Sequence, residues 1–98
     1  MKAEFHQVAS DEIIETTAYY EDEVPGLGSS FIAEVERVIV ILCDQPKIGQ
    51  RIGTEFRRIL LAKFPYSLIY SIEPERIWVI AAAHHRRRPG YWRERVDR

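Results

Sequence analysis

The period of the apolar residues changes halfway along the chain, and that change restricts the fold more than any other feature. Phe31, Val35, Val38 and Leu42 fall at i, i+4, i+7 and i+11, with Ile32 and Ile39 beside them, a stripe down one side of a helix. From Tyr66 to Ile72 the repeat is two instead, with Tyr66, Leu68, Tyr70 and Ile72 set against Ser67, Ile69 and Ser71. Helical spacing first and strand spacing afterwards imply a segregated α+β fold, with helices laid on one face of a sheet.

Local signals divide the chain further. Ala3–Val8 reads as a first strand. Ser10 offers an N-cap hydroxyl to a helix over Asp11–Asp22, where Asp11 and Glu12 suit the positive end of the dipole. Val24-Pro25-Gly26-Leu27-Gly28 ends that helix. Ser29 or Ser30 caps a second, which runs to Cys43 and pairs with the first as an antiparallel hairpin. Lys47–Thr54 reads as a loop. Phe56–Phe64, Tyr66–Ile72 and Arg76–Ala83 are three strands, separated by Pro65 and by Glu73-Pro74-Glu75. The predicted order is β-α-α-β-β-β, a helical hairpin packed on an antiparallel sheet. The hairpin covers one face of that sheet, and only the C-terminal tail remains for the other.

The 98 residues suit a single domain over 1–98, and a composition of 46% hydrophobic and 30% charged residues excludes disorder. The lone Cys43 staples nothing and reads as a small buried hydrophobe at the end of the second helix. No clustered Cys/His spacing suggests zinc, so no metal or cofactor is expected. The N-terminal MKAEFHQVASDEI lacks the apolar stretch of a signal peptide. The runs Val38–Cys43 and Ile77–Ala83 are far short of the ~20 residues that cross a bilayer. A cytoplasmic protein is expected, with no membrane partner.

The net charge of −1 conceals a split. Residues 1–43 hold nine acids against two basic residues, whereas residues 44–98 hold twelve basic residues against six acids. The basic excess gathers at Ala81–Trp92, AAAHHRRRPGYW. Arginines interleaved with aromatic residues are the usual chemistry of protein hot spots and nucleic-acid grooves.

Read in series, several short motifs resemble the RelE/ParE superfamily of type II toxins. They are Phe5-His6, Ala18-Tyr19-Tyr20, Pro25-Gly26-Leu27-Gly28 and Asp44-Gln45-Pro46. Arg57-Arg58-Ile59-Leu60-Leu61, Phe64-Pro65-Tyr66 and the Arg-rich end closing on Pro89-Gly90-Tyr91-Trp92 follow. The resemblance spans nearly the whole chain. It implies a growth-inhibiting toxin, a plasmid-stabilisation protein held in check by a cognate antitoxin.

RelE-like members cleave mRNA on the ribosome without metal, and ParE-like members resemble gyrase poisons. If this chain is a nuclease, the resemblance points to Arg58, His84, Arg88 and Tyr91 as cations, acid and base. There is no lysine-rich strand patch and no Arg-x-His-Tyr ending, which favours the ParE-like side with DNA gyrase as target. Arg57, Arg86, Arg87, Arg88, Tyr91 and Trp92 are then the expected contacts to target or antitoxin. A homodimer stays open.

Each of these residues also has a structural reading. His84 and His85 at a strand end can serve backbone hydrogen bonds. Arg57 and Arg58 can pair with the acidic helices. Tyr91 and Trp92 can fold back over the bare sheet face. Of Tyr19 and Tyr20, one packs inward and one sits at the helix–sheet edge. On the first meander strand, Arg58 and Lys63 have opposite parity and point to opposite faces.

Overall fold

The computed structural model describes residues 1–96. Strand β1 (Lys2–Phe5) leads into helices α1 (Gln7–Glu23) and α2 (Leu27–Asp44). A single 3-10 turn, Pro46–Ile48, precedes strands β2 (Gln50–Ile52), β3 (Phe56–Leu60), β4 (Tyr66–Ile72) and β5 (Arg76–His84), and another, Arg93–Arg95, closes the tail. The α+β order agrees with the sequence expectation, apart from one added strand. The sheet runs β1-β5-β4-β3-β2. Its neighbours are antiparallel except β1, which lies parallel to β5.

The boundaries differ from expectation where side chains outside an element cap it. Helix α1 begins at Gln7 because the His6 imidazole accepts the Val8 N–H at 3.0 Å; Ser10 is already inside the helix. Helix α2 begins at Leu27, ahead of both serines. Its orphan amides at Gly26 and Gly28 donate to the Glu21 carboxylate, at 2.9 and 3.0 Å. Gly26 turns the chain with φ at +90°, where a side chain would be strained. Gly28 sits where the helices cross most closely, since a Cβ there would stand 2.7 Å from the Thr17 carbonyl oxygen.

Strand β3 stops at Leu60 rather than Phe64. Lys63 takes a positive φ of 70°, and the Leu61 N–H donates to the Tyr66 carbonyl at 2.9 Å, so Lys63 lies in a turn and has no strand parity. The turn swings Phe64 into a cluster with Tyr20, Phe31 and Tyr66. Tyr20 is thus the inward tyrosine, while Tyr19 is 59% exposed. Within Lys47–Thr54 the chain forms β2. The Tyr70 hydroxyl holds this segment, donating to the Pro46 carbonyl at 2.7 Å and accepting the Gly49 N–H at 3.0 Å. Cys43 is only half-buried.

The predicted helical stripe is the core. Phe31, Val35, Val38 and Leu42 pack with Ala9 and Ile13 of α1 against Leu68, Tyr70, Ile77 and Val79. The opposite sheet face carries a second cluster, Ile69, Ile80, Ala81 and Trp92, flanked by Phe56 and Trp78. Between the two faces, β5 makes one irregular step. Ile69 pairs with Ala81 and Tyr70 with Val79, leaving Ile80 as the extra residue of a bulge. Beyond the bulge the alternation is inverted, so that Ala82 joins the helix-side core and Ala83 the tail side.

Candidate binding groove

The residues after β5 fold back across the bare sheet face. Gly90 turns the chain with φ at +75°, and the Tyr91 N–H donates to the Arg88 carbonyl at 3.1 Å. Trp92 then drops onto the sheet, 3% exposed, with its ring edge-on to Phe56 at 4.9 Å between centroids. Its indole is spent on the sheet, so the partner contact expected of Trp92 has no exposed ring to make it. The tail shields the second face, as one of the two sequence readings had it.

A tight polar clamp fixes this arrangement. Strand β1 ends at Phe5, and the last backbone bond to that edge of β5 runs from the His6 N–H to the Val79 carbonyl at 2.8 Å. One step further along, side chains replace a neighbouring strand. Arg95 donates to the Ile80 carbonyl at 2.8 Å, and the Ala82 N–H donates to Glu12 at 3.0 Å. Glu12 and Arg95 also bind each other through two bonds, 2.6 and 2.9 Å, with only 15% and 12% of their side chains exposed. The Tyr91 hydroxyl donates to the same carboxylate at 2.7 Å. Burial, and then the adjoining Glu12 carboxylate, push this phenol well above its ordinary value.

Between the tail and the β2–β3 hairpin lies a groove of about 420 Å³. Arg51, Arg58, Arg87, Arg88 and Arg93 line it, with His84, His85, Ser67 and Tyr91, and among the described residues no Asp or Glu does. Several of these groups are held in place. The Arg58 guanidinium donates to the Gln50 side-chain oxygen at 2.7 Å. Arg87 stacks on the Tyr91 ring, 3.8 Å from its centroid. His85 Nε2 and Ser67 Oγ are 3.0 Å apart. Guanidiniums fixed before a ligand arrives lose less freedom on binding an anion, and their flat forks match carboxylates and phosphates.

The four nuclease candidates, Arg58, His84, Arg88 and Tyr91, all border this groove. Arg57 and Arg86 do not. Arg57 lies on the helix side of β3 and donates to the Lys47 and Gly49 carbonyls at 3.0 and 2.8 Å. Neither Arg57 nor Arg58 reaches the acidic helices, so the expected ion pairs with them do not form among the described residues. His84 places its ring on Tyr66 and its Nδ1 accepts the Arg86 N–H at 3.0 Å, which is the structural reading. His85 is the histidine aimed at the groove. Gln50, Arg51, Ser67 and Arg93 are lining residues without a sequence signal. Among the described residues no three His, Cys, Asp or Glu side chains gather to hold a metal ion, and no helix is long and apolar enough to cross a membrane.

The family model described as "ParE toxin of type II toxin-antitoxin system, parDE" matches residues 3–89. A solved structure described as "Chromosomal ParDE TA system from P. aeruginosa" superposes with a TM-score of 0.63. It is 12% identical, and the match covers 86% of this chain and 95% of that one. That likeness is one of fold. No curated protein matches the chain.

Proposed function

The chain belongs to the family of ParE toxins of type II toxin–antitoxin systems, and on that premise we propose that it inhibits growth by surface contact with DNA gyrase, its basic groove being the working surface. The same groove receives an acidic segment of the cognate antitoxin, which neutralises the toxin by covering it. The observation that carries this reading is the set of arginines gathered around one groove with no carboxylate of the described residues in its lining, two of them held by Gln50 and Tyr91. A carboxylate-bearing segment meets complementary charge there, which speeds its encounter and fixes its register. The binding residues are Arg58, Arg87 and Arg88, with Arg86 and Arg57 outside the groove, and the site of action is the cytoplasm.

A second reading, a metal-independent ribosome-dependent endoribonuclease, is favoured by His85. Its imidazole, which has both a proton-donating and a proton-accepting nitrogen, lies 3.0 Å from Ser67 Oγ inside the same groove. Brief induction in bacteria followed by pulse labelling tests the choice. Thymidine incorporation failing before amino-acid incorporation supports the gyrase reading. Amino-acid incorporation failing first overturns it, and His85→Ala then abolishes toxicity. For the antitoxin, Arg58→Gln with Arg87→Gln is expected to weaken binding about 100-fold while the thermal midpoint holds. Unchanged affinity rejects the groove as its seat.

A further inference from the structure

Tyr91 borders the basic groove, yet its hydroxyl is spent elsewhere, donating to the Glu12 carboxylate at 2.7 Å. Glu12 belongs to α1 and lies outside the groove lining. It is fixed in turn by two bonds from Arg95 and by the Ala82 N–H. At the other end of the tyrosine, its backbone N–H donates to the Arg88 carbonyl, and the next residue, Trp92, is packed against the sheet. The ring is therefore held at its tip and at its root, with or without a ligand.

Arg87 rests on that ring. Its guanidinium carbon lies 3.8 Å from the ring centroid, and that of Arg95 lies 5.1 Å from the same centroid. Arg87 is otherwise exposed, and among the described residues no carboxylate pairs with it. A loose arginine samples many rotamers, and ordering it on binding subtracts from affinity. A guanidinium laid over a fixed ring has given up that freedom beforehand, and its fork of N–H groups keeps one orientation toward an anion.

We infer that Glu12 and Tyr91 are positioning residues of the basic groove: the carboxylate anchors the phenol, and the anchored ring presents Arg87 in the orientation that binds a carboxylate of the ligand. The inference rests on the proposed role of the groove. Within it, Tyr91 changes from a group that touches the ligand to the platform for one that does.

The full chain is titrated calorimetrically with a synthetic oligoglutamate peptide. Tyr91→Phe keeps the ring and the Glu12–Arg95 pair and removes only the anchor. It is expected to weaken binding about 3- to 10-fold, and to have no such effect once Arg87→Gln is present. Arg87→Lys, at an exposed position, keeps the charge without the fork. It is expected to lose nearly as much as Arg87→Gln, about tenfold. In the chain without peptide, relaxation of the Arg87 Nε–H resonance should report a rigid side chain in the parent and a mobile one in Tyr91→Phe. A purely structural role for Tyr91 moves neither the dependence on Arg87 nor this resonance. A mobile Arg87 in the parent, parental affinity in Tyr91→Phe or Arg87→Lys, or an equal loss from Tyr91→Phe with and without Arg87 overturns the inference and leaves the groove reading standing. Arg87→Gln that binds as tightly as the parent overturns both.

Discussion

Glu12 shows how much of this fold can hang on one carboxylate. It holds Arg95, Tyr91 and the Ala82 amide together at a strand edge. Removing its charge leaves the Arg95 guanidinium buried without an anion, the costly way to break such a pair. Glu12→Gln is expected to cost about 3 kcal/mol, a fall in thermal midpoint of roughly 10–20 °C for a chain of this size, read by calorimetry. The phenol it accepts from gives a pH test. Tyr91 keeps its proton in the fold above its ordinary value of 10.0, whereas the unfolded chain releases it there. Its stabilising contribution is therefore complete below pH 10 and is lost as pH rises beyond that value. Tyr91→Phe should flatten, without abolishing, the alkaline decline seen in unfolding titrations, because Tyr20 and Tyr70 are shifted the same way by burial.

Individual elements were legible in the sequence wherever packing enforces a period. The stripe Phe31–Leu42 is buried as its spacing requires, and β4 alternates between the faces, with Leu68 and Tyr70 in the helix-side core and Ile69 beneath the tail. Their ends were not legible, because the caps come from residues distant in sequence or of unexpected type, such as Glu21 for α2 and His6 for α1. Strand β2 is three residues long and is pinned by a tyrosine more than a strand away, so no local pattern marks it. The bulge at Ile80 decides which histidine faces the tail side. A regular β5 would continue the Ile77, Val79 alternation and send His84 to the tail side; the extra residue sends His85 there instead. At this scale the helix crossing makes a sharp prediction. Gly28→Ala drives a Cβ to 2.7 Å from a backbone oxygen of α1, so the hairpin must part. The expected loss is about 1–3 kcal/mol. Gly26→Ala, with open space around it, costs only the backbone strain of about 1–2 kcal/mol. Denaturant midpoints of the two variants separate the effects.

Across the whole molecule, the tail is as much a structural layer as a carrier of charge. Composition and charge asymmetry located the basic segment, and the resemblance named its family. Neither told that Trp92 would be consumed in covering Ile69 and Ile80. Trp92→Ala removes the centre of that layer and should cost about 3–5 kcal/mol, with enhanced binding of an apolar dye marking the uncovered sheet. A variant as stable as the parent would mean that the tail leaves the sheet easily. The charge split seen along the sequence becomes a split in space, with acids around the hairpin and arginines around the groove.

The place where β1 runs out has a consequence for how this protein survives among copies of itself. A bare stretch of strand offers unpaired amides and carbonyls on which another chain can grow, and from that contact fibres and clumps begin. Here the vulnerable stretch of β5 is plugged by an arginine and a glutamate that satisfy its backbone while presenting no backbone of their own. A template that could seed aggregation is thereby closed by two side chains, at the point where the next strand would have had to lie.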